Sequence, residues 1–291
     1  MSATAELFID SKCRLGEGPF WHPGRRQFFW FDILEKTLFA ADRGGKIAAN
    51  WTFPTFPSAA GVVDKDTLVI ARAGAIEKLD LVSGKTTPLV AIEADMPGNR
   101  TNDGRVNKAG GLWIGTMEHE EIHYAGSLYQ FRAGILKKLG ADIRVPNSTC
   151  FSPDGRIAYF TDTPNKIIMQ RPIDPASGEP TGFWSVFANT ADQPGAPDGS
   201  VVDAEGYLWN ARWGGHRVIR YAPDGRVDRE VMLPVSQVTC PCFGGADLKT
   251  LYITSASKTL STEQLAREPH AGSVFAIAVD VAGQPETTIR L

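Results

Sequence analysis

No run of apolar residues in this 291-residue chain approaches the length of a membrane span, for which a helix needs about twenty. The opening stretch, Met1 to Asp10, has no basic region followed by an apolar one, so it does not read as a secretory leader. A soluble, cytoplasmic protein is the expectation. Surplus positive charge is also missing: 30 Lys and Arg are interspersed with 33 Asp and Glu, leaving a net charge of −3. Neither nucleic acid nor an anionic membrane is expected as a partner, because both recruit basic patches. Cysteine is scarce, with four residues. Cys240-Pro241-Cys242 lacks a second pair at zinc spacing. Cys150 and Cys242 adjoin Phe151 and Phe243 on predicted inner strands, where thiols serve as small buried hydrophobes. Sustained helical periodicity is hard to find. Only Thr262–Arg267, with Ser261 as its cap, predicts a turn or so of helix.

What the chain does have is a repeat. From Asp198 it reads Asp-Gly-Ser-Val-Val-Asp-Ala-Glu-Gly-Tyr-Leu-Trp, with Gly206 eight residues on and Trp209 eleven on. From Asn102 the same pattern runs through Gly110 to Trp113, and from Asn147 it reaches Gly155 after the same eight residues. Glu17 opens a looser copy leading into Phe28-Phe29-Trp30, and weaker ones start at Ser58 and around Thr239. Starts near 17, 58, 102, 147, 198 and 239 are about 40 to 50 residues apart, the length of one four-stranded propeller blade. Short segments rich in Val, Ile, Phe, Tyr and Trp, such as Thr67–Ala71, Leu112–Thr116, Ile157–Thr161, Leu208–Arg212 and Leu251–Ser255, predict the strands. No linker or low-complexity tract divides the chain. An all-β, six-bladed β-propeller over 1–291, in one domain, is the expected architecture.

Equivalent positions of repeats occupy equivalent places in space. Glu17, Asn102, Asn147 and Asp198 should therefore converge where the innermost strands begin, at the mouth of the central channel. Taken singly, Asp-Gly and Asn-Asp-Gly are ordinary turn sequences. Taken together, two carboxylates and two amides form a ligand set for a hard cation. Blades 2 and 6 contribute the neutral Ser58 and Thr239. His119-Glu120-Glu121-Ile122-His123 matches the H-E-x-x-H zinc signature, which needs a helix to bring both His to one face. The segment lies between predicted strands Leu112–Thr116 and Ser127–Phe131, so a rim loop is expected. Trp21, Trp113, Trp209 and Trp213 fall in strands or strand ends and read as blade core rather than sugar platforms.

Leu15-Gly16-Glu17-Gly18-Pro19-Phe20-Trp21, Asn99-Arg100-Thr101-Asn102-Asp103-Gly104, Gly115-Thr116-Met117, Pro146-Asn147-Ser148, Pro197-Asp198-Gly199, Trp213-Gly214-Gly215 and Cys242-Phe243-Gly244-Gly245 occur in order along nearly the whole chain. In these motifs the chain resembles the gluconolactonase/regucalcin family, which also includes senescence marker protein and luciferin-regenerating enzyme. It is most similar to bacterial lactonases that open aldonolactones such as xylono-, arabinono- or gluconolactone. The resemblance implies one divalent cation (Ca, Zn, Mn, Mg or Fe) held by Glu17, Asn147 and Asp198. It also implies substrate binding by Arg100, Asn102 and a Glu after Gly-Thr-Met, where counting along the motif reaches Glu120, with Glu118 close by. Asp198 is the expected general base, and a monomer the expected state. Two other readings use the same scaffold: a metal-dependent esterase or phosphotriesterase, and a non-catalytic calcium-binding propeller.

Overall fold

The protein, described here by a computed structural model covering residues 3–291, is a ring of six antiparallel sheets. The innermost strands are Gly16–His22, Pro57–Val62, Asn99–Val106, Pro146–Phe151, Ala196–Val202 and Val238–Gly244. Each lies against the next, and the sixth lies against the first, so the ring closes around a central channel. This is the six-bladed β-propeller that the repeat predicts.

Closure comes from the N-terminal segment. Blade 6 draws three strands from the end of the chain, and its outermost strand is Glu6–Ile9, which pairs antiparallel with Val274–Ala278. Just before it, Ala3–Thr4 runs parallel to Val227–Met232 at the rim of blade 5. Residues 279–291 cross the far end of the channel. Along this strap Gln284 donates to the carbonyls of Phe151 and Val202, the Ile289 amide donates to Val62, and that of Arg290 to Gly110.

The repeat has a local cause. Five residues after Asn102, Asn147 and Asp198 come Asn107, Ser152 and Asp203. Their side chains accept amide hydrogens from the hairpin turn that follows: Ala109 and Gly111 at 3.0 Å onto Asn107, Ile157 at 2.9 Å onto Ser152, and Tyr207 at 2.9 Å onto Asp203. Asx and Ser turns of this kind pin the chain reversal between first and second strands. The alternate apolar side chains then fill the space between blades, where Trp30, Trp113 and Trp209 are fully buried. The predicted second strands are present and run one or two residues longer, for example Leu112–Glu118 and Leu208–Trp213. Helix Thr262–Arg267 forms with a reciprocal capping box between Ser261 and Gln264. All four cysteines are free and buried, and burial pushes the thiol of Cys13 up to about 12.

Candidate functional site at the channel mouth

Every innermost strand carries a register break near its start: between Glu17 and Phe20, Pro57 and Ala59, Thr101 and Gly104, Asn147 and Cys150, Pro197 and Ser200, and Val238 and Pro241. The repeat's polar residues sit inside these strands near their starts, at or beside the bulge, and a bulge turns a side chain that would otherwise alternate away toward the channel. Gly18 and Ser148, the residues that follow Glu17 and Asn147, adopt φ of +53° and +58°. A Cβ on Gly18 would stand 2.3 Å from the carbonyl oxygen of Ser58, so glycine is required there. Ser148 tolerates the left-handed conformation by donating to the Asp198 carbonyl at 2.6 Å.

Glu17, Arg100, Asn102, Asn147 and Asp198 all line one cavity of about 290 Å³ at this end of the channel. The walls are completed by Leu15, Arg144, Val145, Thr163, Pro164, Lys166, Ala196, Trp213, Lys258 and Glu121. The floor is tightly bonded. Arg100 Nη1 donates to Asn102 Oδ1 at 2.7 Å, and Asn102 Nδ2 donates to the Pro146 carbonyl at 2.9 Å and to Asn147 Oδ1 at 3.2 Å. Asn147 Nδ2 donates to Thr163 Oγ1 at 2.9 Å, and Thr163 donates to the Pro197 carbonyl at 2.8 Å. Both amide groups are thus held in one orientation.

Electrostatics make the floor unusual. Glu17 and Asp198 are 5% and 6% exposed, and neither has a Lys or Arg within ion-pair distance among the described residues. Burial pushes both carboxyls well above the ordinary carboxylate range. The charge of Asp103 adds to the shift on Glu17, and those of Glu17 and Asp103 add to the shift on Asp198. Asp103 itself lies beneath the floor, accepting the Thr149 amide at 2.6 Å, with burial raising it to about 6. No cluster of three or more His, Cys, Asp or Glu side chains suited to a metal occurs among the described residues. The oxygen-only set available is therefore two carboxylates and the Asn147 amide, a composition that fits a hard divalent cation.

Of the three Glu residues after Gly-Thr-Met, the cavity is lined by one that the sequence count does not reach. Glu120 is exposed and outside the cavity, and Glu118 is engaged with His123 Nδ1 at 2.8 Å and with the Ile122 and His123 amides. Glu121 is the one that faces the cavity, ion-paired to Lys258 and 3.7 Å from Arg100 Nη2. The H-E-x-x-H segment is a loop of turns and bends, with His119 stacked on Phe56 at 4.7 Å and its partner His123 exposed. Trp21, Trp113 and Trp209 are core, whereas Trp213 forms part of the cavity wall. Arg144, Lys166 and Lys258 carry no repeat signal, since they lie on connections whose path only the fold determines.

Residues 15–257 match the model of the SMP-30/gluconolactonase/LRE-like region. The chain belongs to this family. It is 38% identical to a Rhizobium meliloti (strain 1021) protein provisionally named a sugar lactone lactonase, over 97% of this chain and 96% of the relative. It is 36% identical to the L-arabinolactonase of Azospirillum brasilense, over 96% and 93%. The crystal structure of regucalcin from Agrobacterium tumefaciens str. C58, described as a calcium-binding protein, superposes with a TM-score of 0.97 at 38% identity over 100% of both chains.

Proposed function

We propose that this family member is a sugar lactonase, opening the ester ring of an aldonolactone to the sugar acid with the help of one divalent cation. The observation that carries the reading is the pair of buried carboxylates, Glu17 and Asp198, set among amides and a guanidinium in a cavity of about 290 Å³. The lactonase names of relatives that span the whole chain support it. Glu17, Asn147 and Asp198 would hold the cation. Bound there, it supplies electrophilic polarisation of the ester carbonyl and water of lowered pKa.

The side chains account for the rest. Water attacks the carbonyl carbon, Asp198 takes its proton, and the same proton passes to the ring oxygen as the carbon–oxygen bond breaks. Arg100 donates to the oxygen that gains charge, a charge-assisted bond that strengthens as the reaction proceeds. Asn102 serves two ends, presenting Asn147 Oδ1 to the cavity while its own oxygen aligns Arg100. Glu121, fixed by Lys258, is an acceptor for sugar hydroxyls. Trp213 and Leu15 supply apolar wall against the ring.

Asp198→Ala should lower kcat for lactone opening about 10³-fold or more, with the β-sheet circular dichroism spectrum retained. Near-normal turnover by a folded variant removes Asp198 from the reaction. Exhaustive chelation should abolish hydrolysis in a pH-drop assay, and a divalent ion should restore it. Full activity in protein shown by elemental analysis to be metal-free would overturn the cation's role.

A further inference from the structure

The cavity has a surplus of cations on one side. Glu121 is shared between Lys258 and Arg100, and its backbone carbonyl accepts from Arg144 Nε at 2.8 Å. Arg144 and Lys166 have no carboxylate within ion-pair distance among the described residues, although both line the cavity. Nor are they among the leading charges acting on Glu17 and Asp198. They form a separate basic edge on the blade 4 side.

Both are placed by bonds to their backbones. The Arg144 and Val145 amides donate to the Asp162 carboxylate at 3.2 and 2.8 Å. Lys166 caps the short turn Thr163–Asn165 in the left-handed region, at φ 52°, where its amide donates to the Thr163 carbonyl and its own carbonyl accepts from Thr190. Opening a neutral lactone creates one new carboxylate, at the carbonyl carbon, and Arg100 on the floor already stands ready for it. The half-buried Arg144 and the exposed Lys166 at the rim are then left without a counter-charge in the cavity.

We infer that Arg144 and Lys166 receive an anionic substituent, a carboxylate or phosphate ester, on the part of the sugar lactone remote from its carbonyl. This rests on the lactonase reading above and narrows its substrate class. Paired oxyanion contacts from a guanidinium and an ammonium discriminate strongly against a neutral hydroxyl at the same place.

The test compares kcat/KM for gluconolactone, 6-phosphogluconolactone and a glucarolactone, using the intact protein with divalent ion. At least one anionic lactone should exceed the neutral one by about 10- to 100-fold, the better of the two identifying the anion. The ratio should shrink with added salt. In the Arg144→Gln/Lys166→Gln double variant it should fall by about tenfold or more, while Lys166→Arg should keep most of it. Equal or better turnover of the neutral lactone in the wild type overturns this inference alone. So does a ratio unchanged in the double variant, even if gluconate inhibition weakens, because the cations would then serve the product carboxylate. If none of the three lactones is opened, the lactonase reading falls first and takes the inference with it.

Discussion

Glu121 shows how much one residue's place depends on where a strand stops. The second strand of blade 3 continues through Glu118, so the loop begins late and the side chain that returns over the cavity is the last of three neighbouring acids. Glu121→Gln should raise KM for a lactone about tenfold, because a charged acceptor tied to Lys258 and Arg100 is lost. Glu120→Gln, altering an exposed side chain, should stay within about twofold of wild type, consistent with the small effects of surface changes. Steady-state kinetics on the two variants decides between these positions; the reverse pattern would restore the simple count along the motif. Asn102 makes a related point. It shares the repeat slot of the candidate ligands, yet its side chain is spent on Arg100, Pro146 and Asn147, so its place in the repeat and its bonding differ.

Among the elements, the bulged start of each innermost strand matters most to the site. Without a bulge, successive side chains alternate, and an acid facing the channel would be followed by one facing the neighbouring blade. The Gly18 and Ser148 conformations relieve that alternation where the polar residues need to converge. Gly18→Ala combines a disfavoured φ with a Cβ pressed against Ser58 and should cost about 1–3 kcal/mol while displacing Glu17. Thermal unfolding would show the stability loss, and a cation titration would show weaker binding; unchanged affinity would mean that the bulge is not what positions Glu17. A second element is the closing strand, Glu6–Ile9. Truncating the chain through Ile9 removes a buried isoleucine and leaves the edge of Val274–Ala278 unpaired. A Tm lower by roughly 5–10 °C is expected, with concentration-dependent aggregation from the exposed edge.

For the molecule as a whole, the proposed cation site would couple ion binding, protons and stability through the floor carboxylates. Their ordinary values are 4.5 for Glu17 and 3.8 for Asp198; burial raises both in the fold, helped by the charge of Asp103 on Glu17 and by those of Glu17 and Asp103 on Asp198. A raised carboxylate binds its proton more tightly folded than unfolded. Its contribution to stability is therefore greatest below the unfolded value and declines as pH rises toward the folded one. Cation-free protein should accordingly lose Tm between about pH 5 and pH 8. A divalent ion, which needs both carboxylates deprotonated, should bind more tightly across the same range, by up to about tenfold per pH unit for each proton released. Scanning calorimetry at several pH values, with and without cation, measures both slopes. A Tm independent of pH in the cation-free protein would mean that the pair is already neutralised by something else in the fold.

Local order in this chain was legible because it is periodic. The spacing from Glu17, Asn102, Asn147 and Asp198 to their turns encodes hairpins through short-range hydrogen bonds, and six such units of blade length leave little choice but a ring. Repetition alone therefore grouped Glu17, Asn102, Asn147 and Asp198 and set the blade number, whereas Arg100 was implied by the family motif. Glu121, Trp213, Arg144, Lys166 and Lys258 were beyond the repeat's reach. Trp213 ends a second strand, and the other four lie on non-repeating connections, whose course is set by packing between blades rather than by neighbours in sequence. Two features arose only in three dimensions: the bulge that turns each polar side chain inward, and the desolvation that raises the proton affinity of two ordinary acids at the channel mouth. Burial is a property of the assembled ring, and no single blade possesses it.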